Sequence, residues 1–385
     1  MISKSISGRN PEEIKSALDK IRSDEGFVPT LAVVFISVKQ DREAIIRILK
    51  AENIDVIGAT SSGEFINDHQ SEGEIAMLLM DIKPEYYSIL FCDTKNKDLV
   101  QAAKEATDFA FSKFKNPAFI LCSSCISISG VVLDGQALIH TIHKRAGKRV
   151  PIFGGMAGDD GTMAGTFVFS NNESSDMGFV MLIIDNHKIE LHGTAISGWK
   201  PAGKVRTVTK AKDAWIYSID DQPALDMYLR YLGQSLNTGE DRSIFREDIS
   251  FFYPFLSFGA GEPQLRTPLE VNHENNSIKL DFAIPEGKQL QFTLPPDFDI
   301  VETVLESADN LKKNQQAGAD ALLIFSCLGR RWALGPMVEE ENNGLHKIWK
   351  APMAGFFSYG EFGKGVNSDD TFHSTTCSWV ALKEK

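Results

Sequence analysis

Apolar runs of four to eight residues, bounded by glycine or polar clusters, recur along the chain, and each suits a buried strand. Residues 31–36 form the first; after a helical stretch, Val56 and Ile57 begin a shorter run that ends at Gly58. The same order returns from 118–121 through 138–143 to 151–153, and again from 321–325 to 352–354. Each is a β-α-β unit. Each is followed by a further apolar run, at 74–81, 178–185 and 376–382. Continuous rather than alternating apolar runs imply strands covered on both faces. The predicted fold class is therefore α/β, with repeated β-α-β units forming two mixed-sheet domains and ligand loops at strand ends.

Residues 201–316 read differently. Asp220 and Asp221 with Pro223 cap a helix over 223–232, which stops before Gly233. Segments 269–271, 278–282 and 289–294, with a turn at Asn275 and Asn276, alternate as a meander with one wet face. An amphipathic helix over about 298–316 carries Ile300, Val304, Leu305, Ala308 and Leu311 on one side. The Gly/Pro-rich stretch at 193–201 is a candidate boundary.

The ends of the first and third β-α-β units share a motif. Gly58-Ala59-Thr60-Ser61-Ser62-Gly63-Glu64-Phe65 matches Gly355-Phe356-Phe357-Ser358-Tyr359-Gly360-Glu361-Phe362 as G-x-x-S-x-G-E-F, and Gly154-Gly155-Met156-Ala157-Gly158-Asp159-Asp160 is a looser copy. A tight turn needs glycine, but not the same Ser and Glu at the same offsets. The loops are thus expected to line a ligand pocket through Ser61, Ser62, Gly63, Glu64, Gly154, Gly155, Asp159, Tyr359, Gly360 and Glu361. The alternative is scaffold inherited from a duplication. Ser326, Cys327 and Arg330 follow a neighbouring strand. Arg330 is expected to clamp a carboxylate while Glu361 accepts from an ammonium, against the plainer reading of a structural Arg330–Glu361 ion pair. His373 precedes the last strand and is a candidate ligand contact or haem ligand, against a capped or solvated histidine.

Several chemistries are excluded by spacing. The loops are not G-x-S-x-G elbows, no Walker A segment occurs, and Gly259 and Gly261 are followed by Gln264 where a dinucleotide fingerprint needs glycine. Cys122 and Cys125 form a C-x-x-C pair at a strand end, a redox position, but the segment after it is a weak helix start and the buried, structural reading is preferred. Cys92, Cys327 and Cys377 lack metal-ligand spacing, so no metal is expected. A third class, an enzyme with Cys327 as nucleophile beside His373, needs the two within hydrogen-bond reach.

Composition changes the picture little. The 385 residues, 43% hydrophobic and 24% charged, describe a globular protein, and five cysteines suit reduced thiols in the cytoplasm. A formal charge of −12 argues against a nucleic-acid partner. The nearest basic cluster is Lys113, Lys115, His143, Lys144, Arg145, Lys148 and Arg149, read as a solvated face. No apolar run is long enough to span a bilayer, so no membrane insertion is expected.

Taken together, the segments at 56–65, 152–160, 198–201, 326–330 and 355–361 resemble the FIST family of bacterial sensory proteins, over nearly the whole chain. The resemblance implies an N-terminal domain at 1–209 and a C-terminal domain at 210–385. It also implies a soluble, non-catalytic sensor that binds a small ligand such as an amino acid or related carboxylate and signals to a partner such as a kinase. Some relatives bind haem and sense nitric oxide; here no haem-binding motif is evident, so no cofactor is expected and haem is the alternative. No fused output domain is read in these residues.

Overall fold

The computed structural model describes residues 1–23, 26–147, 150–233, 250–259, 263–365 and 370–385; Lys148, Arg149 and Gly261 lie outside them. The chain forms two compact units. The first comprises Met1–Ile196, Val301–Arg331 and Pro336–Lys385, and the second Ser197–Ile300 with Trp332–Gly335.

The first unit is one pattern used three times. Strand β1 (Ile2–Gly8) and helix α1 (Pro11–Arg22) precede β2 (Leu31–Ser37), α2 (Arg42–Ala51) and β3 (Asp55–Ser61). A hairpin of β4 (Glu64–Ile66) and β5 (His69–Ser71) then leads to β6 (Ile75–Asp81). The second copy is β7 (Tyr87–Asp93), α3 (Leu99–Lys113), β8 (Pro117–Ser123), α4 (Gly135–Ala146), β9 (Ile152–Met156), β10 (Val168–Ser170), β11 (Glu173–Ser175) and β12 (Gly178–Asp185). The third starts with β13 (Ile189–Ile196) and is interrupted by the second unit. It resumes through α5 (Asp299–Gln315), β14 (Ala321–Cys327), α6 (Leu328–Leu334), α7 (Met337–Trp349), β15 (Met353–Ser358), β16 (Gly360–Lys364), β17 (Asp370–His373) and β18 (Cys377–Glu384).

Each copy builds a six-stranded sheet in which its second and third strands run parallel, as the β-α-β crossover requires, its sixth lies antiparallel beside the second, and its first lies antiparallel beside the sixth. The hairpin never stays at home. Strands β4 and β5 join the third copy's sheet beside β15, β16 and β17 join the second copy's beside β9, and β10 and β11 join the first copy's beside β3. The three exchanges close a ring.

Burial explains the apolar runs. One face of each central strand enters a common core that holds Leu31, Val33 and Phe35 with Ala118, Ile120 and Cys122 and with Ala321, Leu323 and Phe325. Phe35 stacks on Phe356 at 4.5 Å and meets Phe325 edge-on at 6.0 Å. The opposite face is covered by helices, as where Ile14, Leu18, Ile45 and Leu49 of α1 and α2 pack on Ala32, Val34 and Ile36. Helices α1 to α4 are capped by the side chains of Asn10, Asp41, Asp98 and Asp134, each accepting a first-turn N–H. The α/β class with mixed sheets is what the sequence predicts.

The second unit is an antiparallel sheet with helix Ala224–Tyr231 packed on it through Leu225, Tyr228 and Leu229. Its strands Pro268–Asn272 and Ser277–Leu280 form the expected hairpin around Asn276, which sits at φ 52°. Gln289–Thr293 does not follow them in a meander; it lies between Phe255–Phe258 and Pro201–Lys212.

Candidate functional site

The three parallel strand pairs end in loops that touch one another within the first unit. Ser62 N–H donates to the Phe357 carbonyl at 2.9 Å and Phe357 N–H to Gly63 at 2.9 Å; Gly158 N–H donates to Thr60 at 2.8 Å and Tyr359 N–H to Met156 at 3.1 Å. Residues from all three copies, expected to line one pocket, are therefore brought together. Their side chains, however, have structural partners.

The register makes the copies superposable: Gly58 pairs with Phe169, Gly355 with Phe65 and Gly154 with Phe362. Each motif glycine faces the phenylalanine of the hairpin that another copy donates. A Cβ at Gly58 or Gly355 would overlap that ring, and one at Gly154 would overlap the Leu121 carbonyl. The Gly and Phe of the motif are thus the two halves of the exchange. Gly63 has its own reason, a φ of 117° with Arg331 Nη1 and Phe357 where a Cβ would have to sit.

The Ser and Glu are equally accounted for. Ser61 Oγ is hydrogen-bonded to Glu64 Oε1, and Glu64 Oε2 accepts from Glu74 N–H at 3.1 Å, just before β6. In the third copy, Ser358 Oγ lies 2.7 Å from Glu361 Oε1 and 3.1 Å from the Ser326 carbonyl, while Glu361 Oε2 accepts from Thr376 N–H at 3.3 Å, just before β18. The carboxyl staples its hairpin to the following strand. Both glutamates are wholly buried. Burial pushes Glu64 up to about 8 against the opposing Ser61 and Glu74 hydrogen bonds, and lifts Glu361 well above the usual carboxylate range.

The middle loop differs. Asp159 accepts from Met163, Ala164 and Gly165 N–H at 2.9, 2.6 and 2.9 Å and receives the Tyr359 hydroxyl, whose titration burial pushes upward. Asp160 reaches Ser37 Oγ at 2.8 Å and Lys39 Nζ at 3.1 Å.

Arg330 and Glu361 are not paired as ion partners. The helical turn of α6 aims Arg330 at Glu341 of α7, with Nε–Oε1 at 3.0 Å and Nη2–Oε2 at 2.5 Å, both side chains fully buried. Its neighbour Arg331 instead enters the loop cluster: Nη1 donates to the Ser62 carbonyl at 2.9 Å, Nη2 pairs with Glu72, and the guanidinium lies 4.7 Å from the Phe357 ring centroid. From sequence, Arg330 lies nearer the strand end and Arg331 reads as its exposed neighbour. No local signal distinguishes two consecutive arginines; their helical phase does.

Ser326 Oγ is buried without a hydrogen-bond partner. Cys327 is buried, and burial with Glu361 nearby pushes its thiol upward, the wrong direction for a nucleophile. His373 Nε2 lies 3.1 Å from the Gly363 carbonyl. Cys122 and Cys125 are free and buried, each pushed up to about 12, so neither has the depressed thiol of a redox pair. No group of three or more His, Cys, Asp or Glu is placed to hold a metal among the described residues. No helix among them is long and apolar enough to cross a membrane.

Residues 30–222 match the FIST N domain and 224–364 match the FIST C domain. The chain belongs to the FIST family. This FIST protein is also 24% identical over 344 residues to an uncharacterized protein of Methanocaldococcus jannaschii. That match covers 86% of this chain and 64% of the relative, so the chain spans slightly less than two thirds of the relative's length. FIST domains are associated with sensory signal transduction and small-ligand binding.

Proposed function

We propose that this FIST protein is a sensor whose ligand is an amino acid or a related carboxylate, recognised at the loop cluster of the first unit. The observation that supports this reading is the environment of Ser62. Its carbonyl accepts from Arg331, and its Oγ accepts from Gly161 N–H at 3.3 Å, beside Asp160. Asp160 N–H donates to the neighbouring Ser61 carbonyl at 3.0 Å, and the Asp160 carboxylate, held by Ser37 and Lys39, is partly exposed, as is the Arg331 guanidinium. An Arg fork matches a carboxylate and an Asp accepts from an ammonium, the two ends of an amino acid. The ligand's carboxylate replaces Glu72, whose own side chain is 72% exposed and whose pairing with Arg331 contributes little.

In this reading the N-terminal domain at 1–209 supplies Ser62, Gly63 and Asp160, and the C-terminal domain at 210–385 supplies Arg331 and Tyr359. Glu64, Glu361, Gly154, Gly155, Asp159 and Arg330 hold the loops in place. The signal passes to a protein partner such as a kinase, in the cytoplasm, in keeping with free cysteines. Thermal-shift screening over amino acids and small carboxylates tests the reading. A compound should raise the melting temperature of the wild-type protein and leave Arg331→Ala unmoved; no stabilising compound, or one whose effect survives both Arg331→Ala and Asp160→Asn, overturns it.

A further inference from the structure

A surface feature separate from the loop cluster lies where the end of α7 meets the β4–β5 hairpin. An open cleft of about 520 Å³ is lined there by Asn67, His346, Lys347, Lys350, Ala351 and Pro352. Its volume lies within the range of small-molecule sites. Both walls are fixed by hydrogen bonds to the main chain. Asn67 Oδ1 accepts from Met353 N–H at 2.9 Å and Asn67 N–H donates to the Met353 carbonyl at 3.3 Å, tying the hairpin to β15; Lys350 N–H caps α7 on the His346 carbonyl at 2.8 Å.

Two of the lining residues hold the left-handed conformation without being glycine, Asn67 at φ 42° and Lys350 at φ 54°. Such backbone costs free energy and gathers at functional sites. Lys350 reaches it as the residue that ends α7, and that geometry turns it toward the cleft beside Lys347.

The charge of the lining is of one sign. Lys347 and Lys350 are exposed and neither pairs with a carboxylate among the described residues, although the chain carries a formal charge of −12. The helix terminus itself contributes partial negative charge, which would oppose an anion. Lys312 answers it by donating Nζ to the Ile348 carbonyl while lying 5.7 Å from the Trp349 ring. The lysines are compact point charges that suit phosphate and carboxylate oxygens.

We propose that this cleft binds a small polyanion through Lys347 and Lys350, with Asn67 contributing a side-chain amide. It is independent of the amino-acid site at Ser62 and Arg331. Calorimetric titration with inorganic phosphate and with citrate, at constant ionic strength, tests it on the full chain. Saturable binding of either probe is expected. It should weaken at least tenfold in Lys347→Ala/Lys350→Ala, and this lysine-dependent component should persist in Arg331→Ala, which removes only carboxylate binding at the other site. Phosphate alone binding assigns a phosphoryl group, citrate alone a polycarboxylate. Because both lysines are exposed, circular dichroism should show the double variant folded as wild type. Absence of saturable binding by both probes overturns the proposal, as does binding that the double variant retains or that sodium chloride abolishes equally in both proteins.

Discussion

Glu64 offers the sharpest test of the staple. Its carboxyl is wholly buried and pushed from 4.5 up to about 8, so between those values the folded chain holds a proton that the unfolded chain has released. Stability therefore falls as pH rises through that window, by about 1.4 kcal/mol per unit. Over the full interval the loss approaches about 5 kcal/mol, of which less than about 1 kcal/mol has accrued near pH 5. A glutamine reproduces the protonated acid: its amide donates to Ser61 Oγ and its carbonyl accepts from Glu74 N–H. Glu64→Gln should thus match wild type near pH 5 and exceed it increasingly toward ~pH 8. Glu64→Ala should be less stable than Glu64→Gln throughout that range, because Ser61 and the Glu74 amide are left unpaired at a cost of about 1–3 kcal/mol each. Denaturant midpoints of the three proteins across this range provide the measurement. Parallel pH profiles for wild type and Glu64→Gln, or a Gln variant as damaged as the Ala one, would refute the reasoning.

Other consequences follow from the ring of exchanged hairpins and from its buried charges. Gly355→Ala forces a methyl into the Phe65 ring and toward the Ile324 carbonyl, so it should cost about 1–3 kcal/mol. Phe65→Ala should cost about 3–5 kcal/mol. The double variant should be less stable than wild type by less than the sum, and strict additivity in denaturation would contradict the pairing. Arg330→Met alone should cost about 3–5 kcal/mol by stranding Glu341, whereas Arg330→Met/Glu341→Leu should recover most of it; equal melting points for the single and double variants would argue against a buried pair. Of the five cysteines only Cys92 is partly exposed. A thiol reagent should modify one sulfur in the native protein and five after denaturation, and rapid native labelling of Cys327 would contradict its burial.

The three β-α-β units are legible in the chain because their strands are buried on both faces and read as unbroken apolar runs, as 31–36 and 321–325 do. The hairpin exchange is not, since β4 pairs with residues nearly three hundred positions later and nothing local encodes the partner. That hidden pairing is also why the motif looks like a binding signature. Gly58 and Phe65 answer different partners, Phe169 and Gly355, and only the closed ring shows that the repeat is selected by packing. The motif loops are legible as recurring segments, but Arg330 and Arg331 are indistinguishable without the helical phase that sends one to Glu341 and the other to Ser62. The 193–201 stretch contains the change of unit at Ile196, yet the strand preceding it, β13, belongs to the third copy, which is illegible locally because its partner β18 is the last strand of the chain.

Hydrogen exchange of the full chain with and without its stabilising amino acid or carboxylate tests the central claim most directly. Slowed exchange should appear together at 61–63, 158–165 and the 329–331 turn, one segment from each copy, and vanish in Arg331→Ala. Protection confined to 346–353, or to the second unit with the loop cluster unchanged, would contradict the account.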